Sequence, residues 1–348
     1  MTTTSTRPTL RLAQWGTGHT GLSALRSIID HPEFELVAVR VYNSEKLGRD
    51  AGQLCGIDPI GVIATDQLDD VLAARPDCVM YMPLLDQESI DDLCAILRAG
   101  INVVTTVTTF HHVPSLDPDV RTRLVAACEE GNSSLYDTGS CPGFITEVVP
   151  LALVTMERRL GRFVIDQYAN LETRKSPEFL AQFFGMDPKD ADTGDGAIRT
   201  EKTDGASLRQ IADSLGVPID KMTSTSEVAV ARTDKQIDVM EIKAGTVGAW
   251  RQHVVGFHED RAMFEYSRTM YVTKDLEPDW GVLDTGWHVT VEGDVPMVMD
   301  LRFATTEYGA WSAGINANLP VNSIRATCEA APGILSTADL SITPYFGR

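Results

Sequence analysis

No two cysteines in this chain stand in a CxxC spacing. The six (Cys55, Cys78, Cys94, Cys128, Cys141 and Cys328) lie at wide, irregular intervals, which argues against a zinc ribbon or a disulfide framework and implies reduced thiols. Cations are scarce: 30 Lys and Arg stand against 49 Asp and Glu, a formal charge of −19. Phosphate backbones and anionic lipid need clustered Lys and Arg, so neither nucleic acid nor a membrane is an expected partner. No apolar run approaches the roughly 18 residues of a membrane span, and the opening MTTTSTRPT is polar with one charge; a cytoplasmic protein is expected. HExxH and GxSxG are missing too, and no carboxylate cluster accompanies the adjacent His111 and His112, so no metal and no serine nucleophile is implied.

What is present is enough apolar material for two cores. With 348 residues, 43% hydrophobic and 23% charged, the chain exceeds one ordinary domain and buries enough surface to offset its ordering entropy. The order of local patterns from the N-terminus is a short β run (10–15), the glycine-rich GTGHTG, helical apolar spacing (22–29) and a second β run (34–41). That is a complete βαβ unit. Strands at 78–82, 102–106 and 134–136 then alternate with helices at 89–99 and 118–130, which predicts a parallel, doubly wound sheet over 1–143.

Beyond Gly143 the pattern changes. One long helix is expected over 144–158, a strand at 163–171, helices at 177–184 and 205–215, and alternating strands between 227 and 303, among them 250–258, 261–272 and 286–293. Period-2 alternation in consecutive strands predicts a largely antiparallel sheet. The expectation is thus an α/β protein: an N-terminal Rossmann-type domain, an α+β substrate and dimerisation domain over 144–320, and a C-terminal segment, 321–348, returning to the first. Residues 187–204 read as a solvated loop.

GTGHTG carries the most chemical information, because a strand precedes it and a helix follows. Gly16 permits the tight turn, Gly18 lets main-chain amides approach a diphosphate, and Gly21 allows close helix–strand packing. Thr17, His19 and Thr20 complete the loop. A dinucleotide cofactor is implied. NAD-selective sites usually place Asp or Glu at the end of the second strand, whereas this chain offers Arg40, Asn43, Ser44 and Lys46, groups suited to a 2′-phosphate. NADP is therefore expected, with NAD possible. Strand-exit loops supply further cofactor candidates: Met82 and Pro83, Thr105 and Thr106, and Cys141 with Pro142, the thiol being read as a pocket wall. His111 and His112 are candidate proton donors whose ordinary fate is an exposed surface. Thr108, Thr109, His111, Tyr136, Tyr168 and Asn170 are the candidates for polarising a substrate.

Several stretches together resemble the dihydrodipicolinate reductase-like superfamily, and within it the branch of 2,4-diaminopentanoate dehydrogenases and native amine dehydrogenases. They are GTGHTG, LGRDAGQLCG (47–56), NVVTT (102–106), TGSCPGF (138–144), EPDWG (277–281), TVEGD (290–294) and CEAAPGILSTADL (328–340). The resemblance implies a homodimer built through the second domain's sheet, with a small-molecule substrate and a nicotinamide cofactor. It also implies hydride transfer to a C=N or C=O carbon of a small, largely apolar ketone, imine or aldehyde. Two departures shape the expectation. The paired-histidine motif with which true dihydrodipicolinate reductases grip a dicarboxylate is missing, and where the amine dehydrogenases carry a glutamate after the NVVTT-like strand this chain reads Val107-Thr108-Thr109-Phe110. Amine dehydrogenase-like chemistry, an ammonia-independent carbonyl reductase and a non-catalytic NAD(P)-binding sensor all stay open at this point.

Overall fold

The computed structural model describes residues 7–84, 87–305 and 308–345. The chain divides into two compact units, one running from its start to Phe144 and resuming at Ala313, the other comprising Ile145–Ser312. The first stretch alternates β1 (Leu10–Trp15), α1 (His19–Asp30), β2 (Phe34–Arg40), α2 (Ala51–Leu54), β3 (Ala64–Thr65) and α3 (Leu68–Ala73). It continues with β4 (Cys78–Tyr81), α4 (Ile90–Arg98), β5 (Asn102–Thr105), α5 (Pro118–Gly131) and β6 (Ser134–Asp137). Local chemistry sets the ends. Ser89 caps α4 by accepting from Asp92 N at 3.1 Å, with Asp91 and Asp92 in its first turn and Arg98 in its last, as the helix dipole favours. Asp117 caps α5, Pro118 opens it, and Asn132 closes it in the left-handed region at φ 51°.

The second unit contains α6 (Val149–Val154), β7 (Leu160–Asn170), α7 (Pro177–Leu180), α8 (Thr193–Leu215), β8 (Lys221–Ala231), β9 (Lys235–Gln236) and β10 (Glu241–Ile242). After these come β11 (Val247–His258), β12 (Arg261–Tyr271), β13 (Leu276–Glu277), β14 (Gly286–Gly293) and β15 (Met297–Arg302). Seven strands form one sheet in the order β13-β8-β11-β12-β7-β14-β15. Its neighbours are antiparallel except β12 and β7, which run parallel.

Two local expectations are corrected here. The single helix over 144–158 is instead a π-helical turn, Phe144–Val148, followed by the short α6. Pro150 has no N–H to donate, so an unbroken α ladder cannot pass through it. The solvated loop over 187–204 is largely the first half of α8, a 23-residue helix that Asp192 caps by accepting from Asp195 N at 3.1 Å. It packs through Gly196, whose missing Cβ would lie 2.9 Å from Ser226 Oγ, and through buried Thr200 and Asp204. Arg268 Nη2 donates to Asp204 Oδ2 at 2.7 Å from the sheet.

From the second unit the chain passes into α9 (Tyr308–Glu329) and then β16 (Gly333–Leu335), which pairs in parallel with β6. The first unit's sheet is therefore β16-β6-β5-β4-β1-β2-β3, parallel throughout. Alternation along its strands sends Trp15, Val79, Tyr81, Val103 and Leu135 into a core with Leu93, Ile96, Leu97 and Leu124 of α4 and α5. Leu12, Cys78, Met80, Val104 and Tyr136 pack on the opposite face with Ala24, Ile28, Ala317, Val321 and Ile324 of α1 and α9. Both faces are covered, as a parallel sheet requires. The order reverses at β1, which has β2 on one side and β4 on the other. In open α/β sheets a ligand lies beyond the carboxyl ends of the strands at such a switch point.

Candidate active site

The turn leaving β1 is built for close approach. Gly16 sits at φ +87°, and a Cβ there would lie 2.4 Å from Met82 O, so glycine alone lets the β1 and β4 exits touch. A Cβ on Gly21 would lie 2.3 Å from Gly16 O, which keeps α1 against the turn. Beneath it, fully buried Gln14 donates through Nε2 to Gly16 O at 2.8 Å. Gly18 is the N-cap of α1, with no side-chain cap and no acid in the first turn. The first amides of α1 are thus left without a protein carboxylate to satisfy them, the condition for anion binding. A Cβ on Gly18 would meet nothing within 4 Å; it would project into open space.

That space is a groove of about 240 Å³ lined by Gly16, Thr17, Gly18, Tyr42, Asn43, Lys46, Met82, Leu84 and Gln87. Lys46 Nζ donates to Thr17 O at 2.6 Å, which sets a cation against the glycine turn. Arg40 stacks on two aromatic rings. Its guanidinium carbon lies 4.2 Å from the Trp15 ring centroid and 4.3 Å from that of Tyr42, while Trp15 Nε1 donates to Tyr42 Oη at 2.8 Å and Tyr42 Oη donates to Gln87 O at 3.1 Å. Burial, the largest influence on the Tyr42 hydroxyl, raises its pKa. Arg40 therefore holds the groove's aromatic wall, and Ser44 is exposed outside the groove lining.

A second pocket, about 210 Å³, lies at the ends of β5 and β6. Thr20, Thr106, Thr108, Asp137, Thr138, Gly139, Cys141, Pro142 and Asn316 line it. Gly143 shapes its rim: at φ +122° its Cβ would stand 2.4 Å from Thr138 Oγ1 and 2.5 Å from Gly139 O. Ser140 Oγ donates to Asn316 Oδ1, tying the β6 exit loop to α9. The two cavities occupy the exits of β1, β2 and β4 and the exits of β5 and β6, with the glycine turn supplying residues to both. This is the layout a dinucleotide needs: a diphosphate at the α1 N-terminus and a nucleoside on either side.

Of the residues singled out from sequence, Gly16, Thr17, Gly18, Asn43, Lys46 and Met82 come together in the first groove, and Thr20, Thr106, Thr108, Cys141 and Pro142 in the second. Pro83 backs the Gly16 turn. His19 is exposed on the first turn of α1. Thr105 is fully buried and structural, donating to Tyr81 O at 2.7 Å. Thr109 is exposed, its Oγ1 3.5 Å from Glu88 Oε1, and burial raises the pKa of the Glu88 carboxyl. The expectation of surface histidines is corrected: His111 and His112 are 4% and 5% exposed, drawn in by the apolar 3₁₀ turns around Phe110 and Val113, and His112 Nδ1 lies 2.6 Å from Ser115 Oγ. The Tyr136 hydroxyl pairs with Thr337 Oγ1 at 2.9 Å. Tyr168 and Asn170 belong to the second unit, on β7, where burial raises the Tyr168 hydroxyl and Asn170 Oδ1 accepts from Glu172 N at 3.0 Å. Sequence reasoning missed Asp137, Thr138 and Asn316. The first two stand at the exit of β6, one and two residues beyond its expected end, where the neighbouring strand places Thr105 and Thr106; nothing local marks Asn316 within its helix.

Several known proteins are similar to this chain. Residues 11–115 match the family described as dihydrodipicolinate reductase, N-terminus, and residues 182–346 match the 2,4-diaminopentanoate dehydrogenase C-terminal domain. An amine dehydrogenase of Streptomyces virginiae is 32% identical over 96% of this chain and 97% of its own. Among solved structures, an amine dehydrogenase from Mycobacterium smegmatis is similar at a TM-score of 0.78 with 16% identity, covering 97% of each chain. The WlbA dehydrogenase of Bordetella pertussis, solved with NADH and UDP-GlcNAcA, is similar in fold at 0.51 and 16%, over 92% of this chain and 90% of that one. On its glycine turn, its two strand-end cavities and this identity along nearly its whole length, the chain belongs to the amine dehydrogenase family of the dihydrodipicolinate reductase-like superfamily and is an NAD(P)-dependent oxidoreductase.

Proposed function

We propose that the enzyme interconverts a small, largely apolar amine with its ketone or aldehyde, using NADP as the preferred hydride carrier. Two observations carry this reading: an uncapped α1 N-terminus with the open cradle at Gly18, and a compact pocket of mostly neutral polar groups at the β5 and β6 exits. When bound, the nicotinamide supplies hydride chemistry. The chain supplies geometry. The amides after Gly16 take the diphosphate, Lys46 and Asn43 take the adenosine phosphate, and Cys141 and Pro142 wall the ring. Thr106 and Thr108 would offer hydroxyls to the oxygen or nitrogen on the acceptor carbon.

The preference for NADP rests on Lys46 and on the lack of an acid at the end of β2. A homodimer through the second unit's sheet is supported by the makeup of one sheet face. While the other face packs α8, this one presents half-buried Asp166, Tyr168, Arg251, His253 and His288. Burial raises the Asp166 carboxyl against the opposing influence of His288, His253 and Arg251.

The test is loss of NADPH absorbance with a panel of small ketones, with and without ammonia. Ammonia-dependent turnover is expected. Turnover indifferent to ammonia would make the enzyme a carbonyl reductase, and tight NADPH binding with no turnover would make it a sensor.

A further inference from the structure

Gln14 is polar at a point where β1 is otherwise apolar. It is fully buried between the equally buried Ala13 and Trp15, and its Oε1 accepts from no donor among the described residues. A buried acceptor without a partner is costly, so stability alone favours a hydrocarbon here. The amide instead holds one bond: Nε2 donates to Gly16 O at 2.8 Å. The first turns of α1 close over it, since a Cβ on Gly21 would lie 3.3 Å from the same Nε2. The consequence lies on the other side of the peptide. The Gly16–Thr17 bond is trans, so its C=O and N–H point in opposite directions. With Gly16 O drawn down onto buried Gln14, the Thr17 N–H is turned the other way, toward the groove that Gly16, Thr17 and Gly18 line. Neither Thr17 N nor Gly18 N donates to an acceptor among the described residues. Gly16, with no Cβ and at φ +87°, would let this peptide rotate end over end, and the Gln14 bond holds one of the two orientations.

We infer that Gln14 is a positioning residue for the cofactor: it locks the Gly16–Thr17 peptide with its N–H facing the groove, so that the turn meets a dinucleotide's diphosphate with a donor already aimed. The inference rests on the proposed reading of this turn as the diphosphate cradle. It goes beyond that reading by naming the buried side chain that sets the donor's direction. Such preorganisation raises affinity by removing an ordering cost from the binding step, and it gives the buried amide a use that its unsatisfied oxygen offsets in stability.

The test is calorimetric titration of the full chain with NADP and with adenosine 2′-monophosphate, which lacks the diphosphate. Gln14→Met keeps the length of the side chain and removes the donor. It is expected to lose about tenfold in NADP affinity, the lower end of what one hydrogen bond to a charged acceptor contributes, while affinity for the monophosphate stays within about threefold. An equal loss for both ligands would mark a merely structural residue, and no loss for either would mean that the peptide keeps its orientation without Gln14; each overturns the inference. Gln14→Glu is the second variant. Protonated, its carboxyl donates to Gly16 O as the amide does; ionised, it cannot. Its NADP affinity relative to wild type at the same pH is expected to fall at least about tenfold between about pH 6 and about pH 9, the range over which a buried carboxyl loses its proton. A ratio that stays level overturns the inference even if the Met variant does not fold. Failure of wild type to bind NADP would instead overturn the reading of the turn, a result distinct from NADP binding that is indifferent to position 14.

Discussion

Replacing Gly18 by alanine adds one methyl group to the cofactor groove and disturbs no neighbour. A Cβ at this position meets nothing within 4 Å, and the backbone, at φ −67° and ψ −170°, lies in a region open to any L-residue. Reduced freedom of the unfolded chain gives alanine about 0.4 to 1 kcal/mol, offset by its poorer performance at an N-cap. Stability should therefore change by less than about 1 kcal/mol, a thermal shift of a few degrees at most. Binding should change far more. The methyl occupies the space through which main-chain amides reach the diphosphate, and losing one hydrogen bond to a charged acceptor costs about 1.5 to 3 kcal/mol, which is about 10- to 150-fold in affinity. Calorimetric titration of NADPH into wild type and Gly18→Ala, with a melting curve for each, measures both quantities. Gly16→Ala serves as the contrast, since its Cβ would collide with Met82 O at 2.4 Å and should destabilise the fold itself. A Gly18→Ala protein that melts like wild type and binds NADPH equally well would refute the reasoning.

Three further outcomes are expected. Lys46→Ala should weaken NADPH by about tenfold and NADH less, as the loss of a charge-assisted contact to a 2′-phosphate requires; equal losses in the two titrations would mean that Lys46 only braces Thr17. The Arg325–Glu33 pair joins α9 to the turn before β2 at 3.2 Å with both side chains 10% exposed, and Arg325→Ala, which strands a buried carboxylate, should lower unfolding free energy by about 3 kcal/mol in urea titration. The Glu265 carboxyl is held below its ordinary value, first by its hydrogen bond with His253 and then by Arg162. Its contribution is thus present above the ordinary carboxylate range and lost as pH falls through the depressed value. The stability gap between wild type and Glu265→Gln should narrow on acidification, and a constant gap would contradict this.

The first unit was legible in sequence because local signals agree there: a strand, three spaced glycines and an amphipathic helix are read from neighbouring residues, and β1 spans the expected 10–15. The second unit was legible in its strands but less so in its helices. The start of α8 was hidden because its buried stripe, Gly196, Thr200 and Asp204 at four-residue intervals, has helical spacing but no hydrophobicity, so apolar periodicity could not register it. The parallel pairing of β12 with β7 joins residues about a hundred positions apart, as in Phe264 with Phe163, and no local pattern encodes such a choice. The charge of Arg40 is visible in sequence, whereas its place between Trp15 and Tyr42 depends on packing from β1. Asp137 was missed by one residue, at a strand end, where boundaries depend on hydrogen bonds and not on composition.

The central claim is that the turn from Gly16 to Gly21 receives a dinucleotide's diphosphate on main-chain amides. Isothermal titration of the full chain with NADPH and with NADH measures this most directly. Saturable binding of one dinucleotide per chain, tighter for NADPH, is the predicted result, and no detectable heat with either at millimolar concentration would contradict the account.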